Sequence, residues 1–469
     1  MNKKLIVSLL AGLMVSNVNF NVFSQGDYFN QNLPVMNIVS AKDLSISTKK
    51  LLDEEYAALI GETGSKVPGL GVIAFKDGKE VYNNFLGFRD IYQKTPMTRY
   101  TKLRVASVSK MFTMFTIMQL VDEGKINLDA DVSEYLGFKL RNPNFPDMPI
   151  TVRMLASHTS TLRDGKIYSL PPQYSIEEFF KPDGIAYDNG VHFGKEDKTY
   201  FKYCNLDYGI LGTIIERVTG ERFDLYQKKH IFKQLNINSD YVVGNLSSSD
   251  FDNLGIIYQK NDGGTWNENI NWVAQIDNYT QKPKKDMVLV QNPYQRETDS
   301  EYSLEGYKVG TNATMFSPQG GLRISFDELS HVMEMIFNDG MYEGKKVVRA
   351  DLLNEMIKPQ WIYNEAAENG DTYGVMFSYG LGFYQIDGAG KARLCKDYEI
   401  DLIGHSGEAY GLISGFYFRP GTKDGVFFMT NGEAVEPDED ERSFGKFSNG
   451  YIWEEEIMDP VCKYIFANK

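Results

Sequence analysis

A chain of 469 residues, 42% hydrophobic and 13% aromatic, can bury an extensive core, and its formal net charge of −14 argues against a nucleic-acid partner, which needs a basic footprint. Three cysteines (Cys204, Cys395 and Cys462) are too few and too odd in number to imply a disulfide framework. Neither Cys-x-x-Cys nor His-Glu-x-x-His is present, so no metal is expected, and nothing calls for a cofactor.

The first 24 residues read as an export signal. Lys3 and Lys4 carry positive charge, Leu5 to Val15 is nearly all apolar or small, and Val22-Phe23-Ser24 offers a cleavage site. The apolar run is short of the ~20 residues of a spanning helix, so a periplasmic or secreted protein without a stable membrane span is expected. Residues 25–40 are polar and expected to be flexible; 41–469 form a single expected domain. Helical periodicity runs over 41–60, through Leu44, Leu51, Leu52, Tyr56, Leu59 and Ile60. Gly69 to Phe75 and Lys79 to Phe88 read as strands joined through the tight-turn pair Asp77-Gly78. A helix follows from Ser107 to about Asp122, stopped by Glu123-Gly124, and further helices are expected at Thr151 to Ala156, Leu206 to Val218 and Phe223 to Leu235. Residues 236–309 show little periodicity and are expected to be inserted strands and loops. A helix over Phe326 to Phe337 precedes sheet at Tyr379 to Ile386 and Ile403 to Asn431, broken by a turn at Arg419 to Gly425; a last helix spans Tyr451 to Phe466 despite Pro460. The fold class is α/β (α+β): an antiparallel sheet flanked by N- and C-terminal helices, with a mainly helical lobe and insertions at about 111–330.

The chemistry centres on Ser107-Val108-Ser109-Lys110. Serine and lysine three apart at a helix start share one face, so the amine can take the proton of a hydroxyl that is otherwise a weak nucleophile. Two later segments accompany it: Tyr203-Cys204-Asn205, before an apolar helix, and His405-Ser406-Gly407, where sheet begins. The order and spacing of the three resemble the serine β-lactamases and penicillin-binding proteins, whose set is Ser-x-x-Lys, Ser-Asp-Asn and Lys-Thr-Gly; the Tyr-x-Asn form resembles the class C β-lactamases and their peptidase and esterase relatives. Blocks at Ile150 to Ser160 and Ser317 to Leu322 extend the resemblance over roughly 65–432.

On this reading Ser107 attacks, Lys110 and Tyr203 are both candidates for the base, and Tyr203 relays a proton to the leaving group. Asn205 hydrogen-bonds the substrate amide. The resemblance implies an oxyanion site made by the backbone N–H groups of Ser107 and Glu408, and places His405, Ser406 and Gly407 in substrate binding. Cys204 is expected to be buried filler, while His158 and Gln319 are expected to be structural. The third motif departs from Lys-Thr-Gly: histidine is mostly neutral at pH 7, which weakens recognition of a substrate carboxylate. The expectation is therefore an exported serine hydrolase acting on a β-lactam or a D-Ala-type peptide amide. An esterase or D-aminopeptidase of the same fold is the alternative within chemistry, and a catalytically silent cell-wall peptide-binding protein the alternative outside it. Small-molecule or peptide substrates are the expected partners.

Overall fold

Asp77 and Gly78 both take positive φ (50° and 78°), the turn whose twist matches paired strands, and join β1 (Gly69–Lys76) to β2 (Lys79–Asp90). With β3 (Thr95–Pro96), β4 (Trp361–Ile362), β5 (Ser378–Tyr379), β6 (Tyr384–Ile386), β7 (Leu402–Ala409), β8 (Leu412–Phe418) and β9 (Gly425–Thr430) they form a nine-stranded antiparallel sheet, ordered β4-β5-β6-β7-β8-β9-β1-β2-β3. The early strand β1 thus closes against the late strand β9, with Leu70 opposite Thr430. The computed structural model describes residues 44–467 apart from 65, 292–298 and 438. The expected export signal and the polar segment after it lie outside the described residues.

Alternation along β1 separates two faces. Val72 and Ala74 join an apolar cluster with Leu52 and Tyr56 of α1 (Ile46–Ala57) and with Trp453 and Ile457 of the C-terminal helix. The Tyr56 hydroxyl donates to the Ile457 carbonyl at 2.9 Å, tying the two terminal helices together. On the opposite face Gly71 meets Phe326, where a Cβ would come within 2.3 Å of the ring, so glycine is needed for the helix to seat. Phe75 packs edge-on against Phe337 with ring centroids 5.9 Å apart.

The lobe holds α2 (Ser109–Asp122) and α3 (Asn205–Thr219), and α4 (Phe326–Phe337) lies against β1. The α4 start is set by a capping box between Ser325 and Glu328. Several expected elements differ in detail. The first helix begins at Ile46, capped by Ser45, and leaves Leu44 outside. The expected helix 223–235 is α-helical only over Phe223–Gln227 and widens into a π turn over Lys228–Phe232; the C-terminal helix, Ile452–Val461, widens likewise over Cys462–Phe466. A helix at Ala350–Ile357, which buries Leu352, Leu353, Met356 and Ile357, was not expected. The odd cysteine count conceals one pair: Cys395 and Cys462, 67 residues apart, are bonded inside the terminal-helix core, leaving Cys204 buried and unpaired. Among the described residues no helix is long and apolar enough to cross a membrane.

Candidate active site

Helix α2 is buried on nearly every side, from Ser109 through Met118 and again at Leu120, which makes it a core helix and a rigid mount. The chain enters it through Ala106 at φ 46°, a left-handed conformation costly for a residue with a Cβ. The surroundings enforce it. Val105 N donates to Leu322 O (2.9 Å), its carbonyl accepts from Ser414 Oγ (3.0 Å), and Arg104 Nε donates to Gly320 O (2.9 Å). A Cβ at Gly407 would lie 2.5 Å from Ser414 Oγ, 2.6 Å from Val105 O and 3.0 Å from Ser107 N. Glycine is therefore what lets strand β7 press against the amide of Ser107.

At the resulting corner, Ser107 Oγ is 3.0 Å from Lys110 Nζ and accepts from the Tyr203 hydroxyl at 2.9 Å. Lys110 Nζ also donates to Asn205 Oδ1 (3.0 Å) and Gln319 O (3.2 Å), and it lies 4.6 Å from the Tyr203 ring centroid. Its side chain is fully buried. Burial pulls the Lys110 pKa down to about 7, against the opposing pull of Asp164, Cys204 and Asp207. Burial also pushes the Tyr203 phenol well above its ordinary value, only partly offset by Ser107.

Asn205 is the first residue of α3, whose N-cap, Cys204, offers no side-chain cap. Asp164 supplies one from 41 positions upstream. It accepts from Asn205 N (2.8 Å), Leu206 N (2.8 Å) and Asn205 Nδ2 (3.0 Å), with Cys204 Sγ at 3.5 Å. Because Asn205 Nδ2 donates to Asp164, Asn205 Oδ1 faces Lys110. Burial raises the Cys204 thiol well above its ordinary value, so it stays protonated. His158 Nδ1 accepts from Cys204 N (3.2 Å) and its ring sits 4.4 Å from that of Tyr203, a packing position.

His405 faces the site without charge. Nδ1 lies 2.5 Å from Ser406 O and must donate to it, so Nε2, 3.0 Å from the Tyr379 hydroxyl, accepts. Burial first, and the nearby Lys110 second, lower its pKa to about 3.

Ser107, Tyr203, Asn205, His405, Ser406 and Glu408 all line one cleft of about 630 Å³. Lys110, bonded to Ser107 Oγ, and Gly407, packed against Ser107 N, do not themselves line it. Asp164 was missed from the sequence: Asp164-Gly165 looks like any turn, and nothing local connects it to Asn205. Arg104 and Tyr168, which line the cleft, were missed as well.

The sequence profile of the family described as Beta-lactamase matches residues 56–447. "Protein flp" of Staphylococcus aureus (strain MRSA252) is 27% identical over 195 residues, which cover 40% of this chain and 38% of that protein, so the match spans less than half of either. Among solved structures, D-amino acid amidase from Ochrobactrum anthropi SV3 superposes with a TM-score of 0.58 at 19% identity, covering 90% of this chain and 99% of the other. The octameric penicillin-binding protein homologue from Pyrococcus abyssi gives a TM-score of 0.55 at 22% identity over 83% and 74% of the two chains. At these identities the two structures show a shared fold.

Proposed function

Because the chain belongs to the β-lactamase family, whose members are serine hydrolases, we propose that it hydrolyses an amide through an acyl-enzyme on Ser107. The observation that carries this is the bonding of Ser107 Oγ to both Lys110 Nζ and the Tyr203 hydroxyl. A lysine drawn down to about 7 is half deprotonated near neutrality, whereas a phenol pushed up stays protonated. These directions support Lys110 as the base and Tyr203 as the relay. Neutral Lys110 takes the Ser107 proton as Oγ bonds to the carbonyl carbon. The backbone N–H groups of Ser107 and Glu408 receive the oxyanion. The C–N bond then breaks, with a proton delivered through Tyr203 to the departing nitrogen. Water, deprotonated by the same groups, cleaves the ester and restores Ser107.

The neutral, doubly hydrogen-bonded His405 supports substrates that need no cation at that position. A D-amino-acid or D-Ala-type amide without a free carboxylate fits better than a β-lactam, whose carboxylate would find no ammonium there. The fold shared with a D-amino acid amidase points the same way. Labelling by a fluorophosphonate or a fluorescent penicillin tests the acyl-enzyme: we expect a stable adduct with the wild type and none with Ser107→Ala. An unlabelled wild type with both reagents would overturn it.

A further inference from the structure

The cleft is not symmetric about Ser107. Tyr203, whose hydroxyl bonds to Ser107 Oγ, has the Tyr373 ring edge-on beside it, with centroids 6.4 Å apart. Tyr373 and Phe444 both line the cleft and are 48% and 39% exposed, so each offers open aromatic surface to a ligand. Charge sets this wall apart. The one Lys or Arg lining the cleft among the described residues is Arg104, which lies 5.1 Å from the Tyr410 ring and also lines a neighbouring cavity that Tyr373 and Phe444 do not reach.

Two segments far apart in sequence build the wall, and both are held before any ligand arrives. Tyr373 takes a left-handed φ of 50°, a strain that persists only where the surroundings enforce it. Its N–H donates to Asp371 Oδ1 at 3.1 Å, and Lys202, bonded to Asp371 Oδ2 at 2.5 Å, sits 5.0 Å from its ring centroid. A Cβ at Gly374 would come within 2.9 Å of Asn449 Cβ, so this turn is pressed against the connection that leads from β9 to the C-terminal helix. Glu455 of that helix, 2% exposed, pins the connection by accepting from Lys446 N (2.7 Å), Phe447 N (2.9 Å) and Ser448 N (2.5 Å), and Phe444 bridges back to Tyr451. Aromatic surface held rigid in a concave site gains contact with a ligand at little ordering cost.

We propose that this wall selects the leaving group: an amine with an aromatic or bulky apolar body, seated against Phe444 and Tyr373. The assignment of the leaving side rests on the Ser107 acyl-transfer reading, in which a proton passes through Tyr203 to the departing nitrogen. As the C–N bond breaks, that nitrogen keeps the bonding pair, takes the proton and leaves along the wall as a neutral amine, while the acyl group stays on Ser107 Oγ. Comparing D-alanine N-benzylamide with D-alanine N-methylamide on the full chain holds the acyl half and the amide chemistry constant. The benzylamide is expected to show a kcat/KM about 10-fold higher or more, which needs only about 55 Å² of apolar surface covered at roughly 25 cal/mol per Å². Calorimetry on the chain carrying Ser107→Ala should give the same order of affinity without turnover. Phe444→Ala should remove most of the benzyl advantage, and Tyr373→Asn, which tolerates the left-handed backbone, should reduce it. Equal kcat/KM for the two amides, or an advantage untouched by both substitutions, would overturn the role of the wall. In a wild type that turns over neither amide and takes no label at Ser107, the failure lies with the acyl-enzyme; equal affinities by calorimetry would then overturn the wall as well.

Discussion

Two buried lysines, eight positions apart, end up with opposite tasks. Lys102 is 2% exposed, with its Nζ 2.6 Å from Glu328 Oε2 and 3.4 Å from Asp250 Oδ1. Lys110 is 0% exposed, but its hydrogen-bond partners are a hydroxyl, an amide oxygen and a backbone carbonyl, with no carboxylate at ion-pair distance among the described residues. Both pay for desolvation. Carboxylates offset the cost at Lys102 and keep an ion pair that joins β-structure to the cap of α4. At Lys110 the cost is only partly offset, by acidic groups that do not touch the amine, and appears as a pKa near 7, which is what a base needs. Burial alone therefore does not make a catalytic lysine; burial with neutral partners does.

Substituting each lysine separates the two. Lys110→Met should lower the rate of Ser107 acylation by about 10²–10⁴-fold, the usual worth of a positioned base. It should change thermal stability little, because removing a poorly compensated buried amine offsets the loss of its hydrogen bonds to Asn205 Oδ1 and Gln319 O. Stopped-flow acylation and a melting curve check both halves, and wild-type acylation would end the assignment of the base. Lys102→Met should do the reverse. It strands Glu328, which also accepts from Asn238 N, Ser239 Oγ, Ser325 N and Ser325 Oγ, and breaking such a buried pair costs about 3–5 kcal/mol. Denaturant titration should show that loss, with acylation per folded molecule nearly unchanged. A stable Lys102→Met variant would erase the contrast.

The sequence was readable wherever one segment carries its own signal. Helix α4 has its expected bounds because a capping box and a 3.6-residue apolar period both lie within it. Strands β7 to β9 fall in the stretch expected to be sheet, and Ser107 and Lys110, picked out by helical spacing, converge at one corner with Tyr203, Asn205 and His405, picked out by resemblance to the family's motifs. What went unread depends on distant partners. β4 has two residues, too short to carry a period. The Cys395–Cys462 bond joins positions 67 apart with no spacing rule. Gln319 was expected to be structural, and its backbone carbonyl does hold Lys110. Only its surroundings reveal the unpaired Oε1.

Asp164 offers the finest test of the contrast between the lysines, because it is the strongest of the groups that still favour the Lys110 ammonium without touching it. The other groups facing that amine are the phenols of Tyr203 and Tyr208, neutral His405, neutral His158, and the buried Cys204 and Asp207, both pushed toward their protonated forms by burial. Asp164→Asn removes a negative charge and keeps the shape. Two effects follow, with different signatures. Asn keeps one acceptor oxygen where Asp164 used two for Asn205 N, Asn205 Nδ2 and Leu206 N, so the charge-assisted bonds that orient the Asn205 amide weaken, which should lower the plateau of kcat/KM by about 10-fold, in the range of a lost hydrogen bond to a charged group. The Lys110 pKa should fall further. Since the base acts unprotonated, activity rises as pH climbs through that pKa, so the acidic limb of kcat/KM, near 7 in the wild type, should move to lower pH. A purely structural role for Asp164 would lower the plateau and leave the limb in place. A limb that moves to higher pH would mean that the group titrating there is not an amine losing its proton beside Asp164.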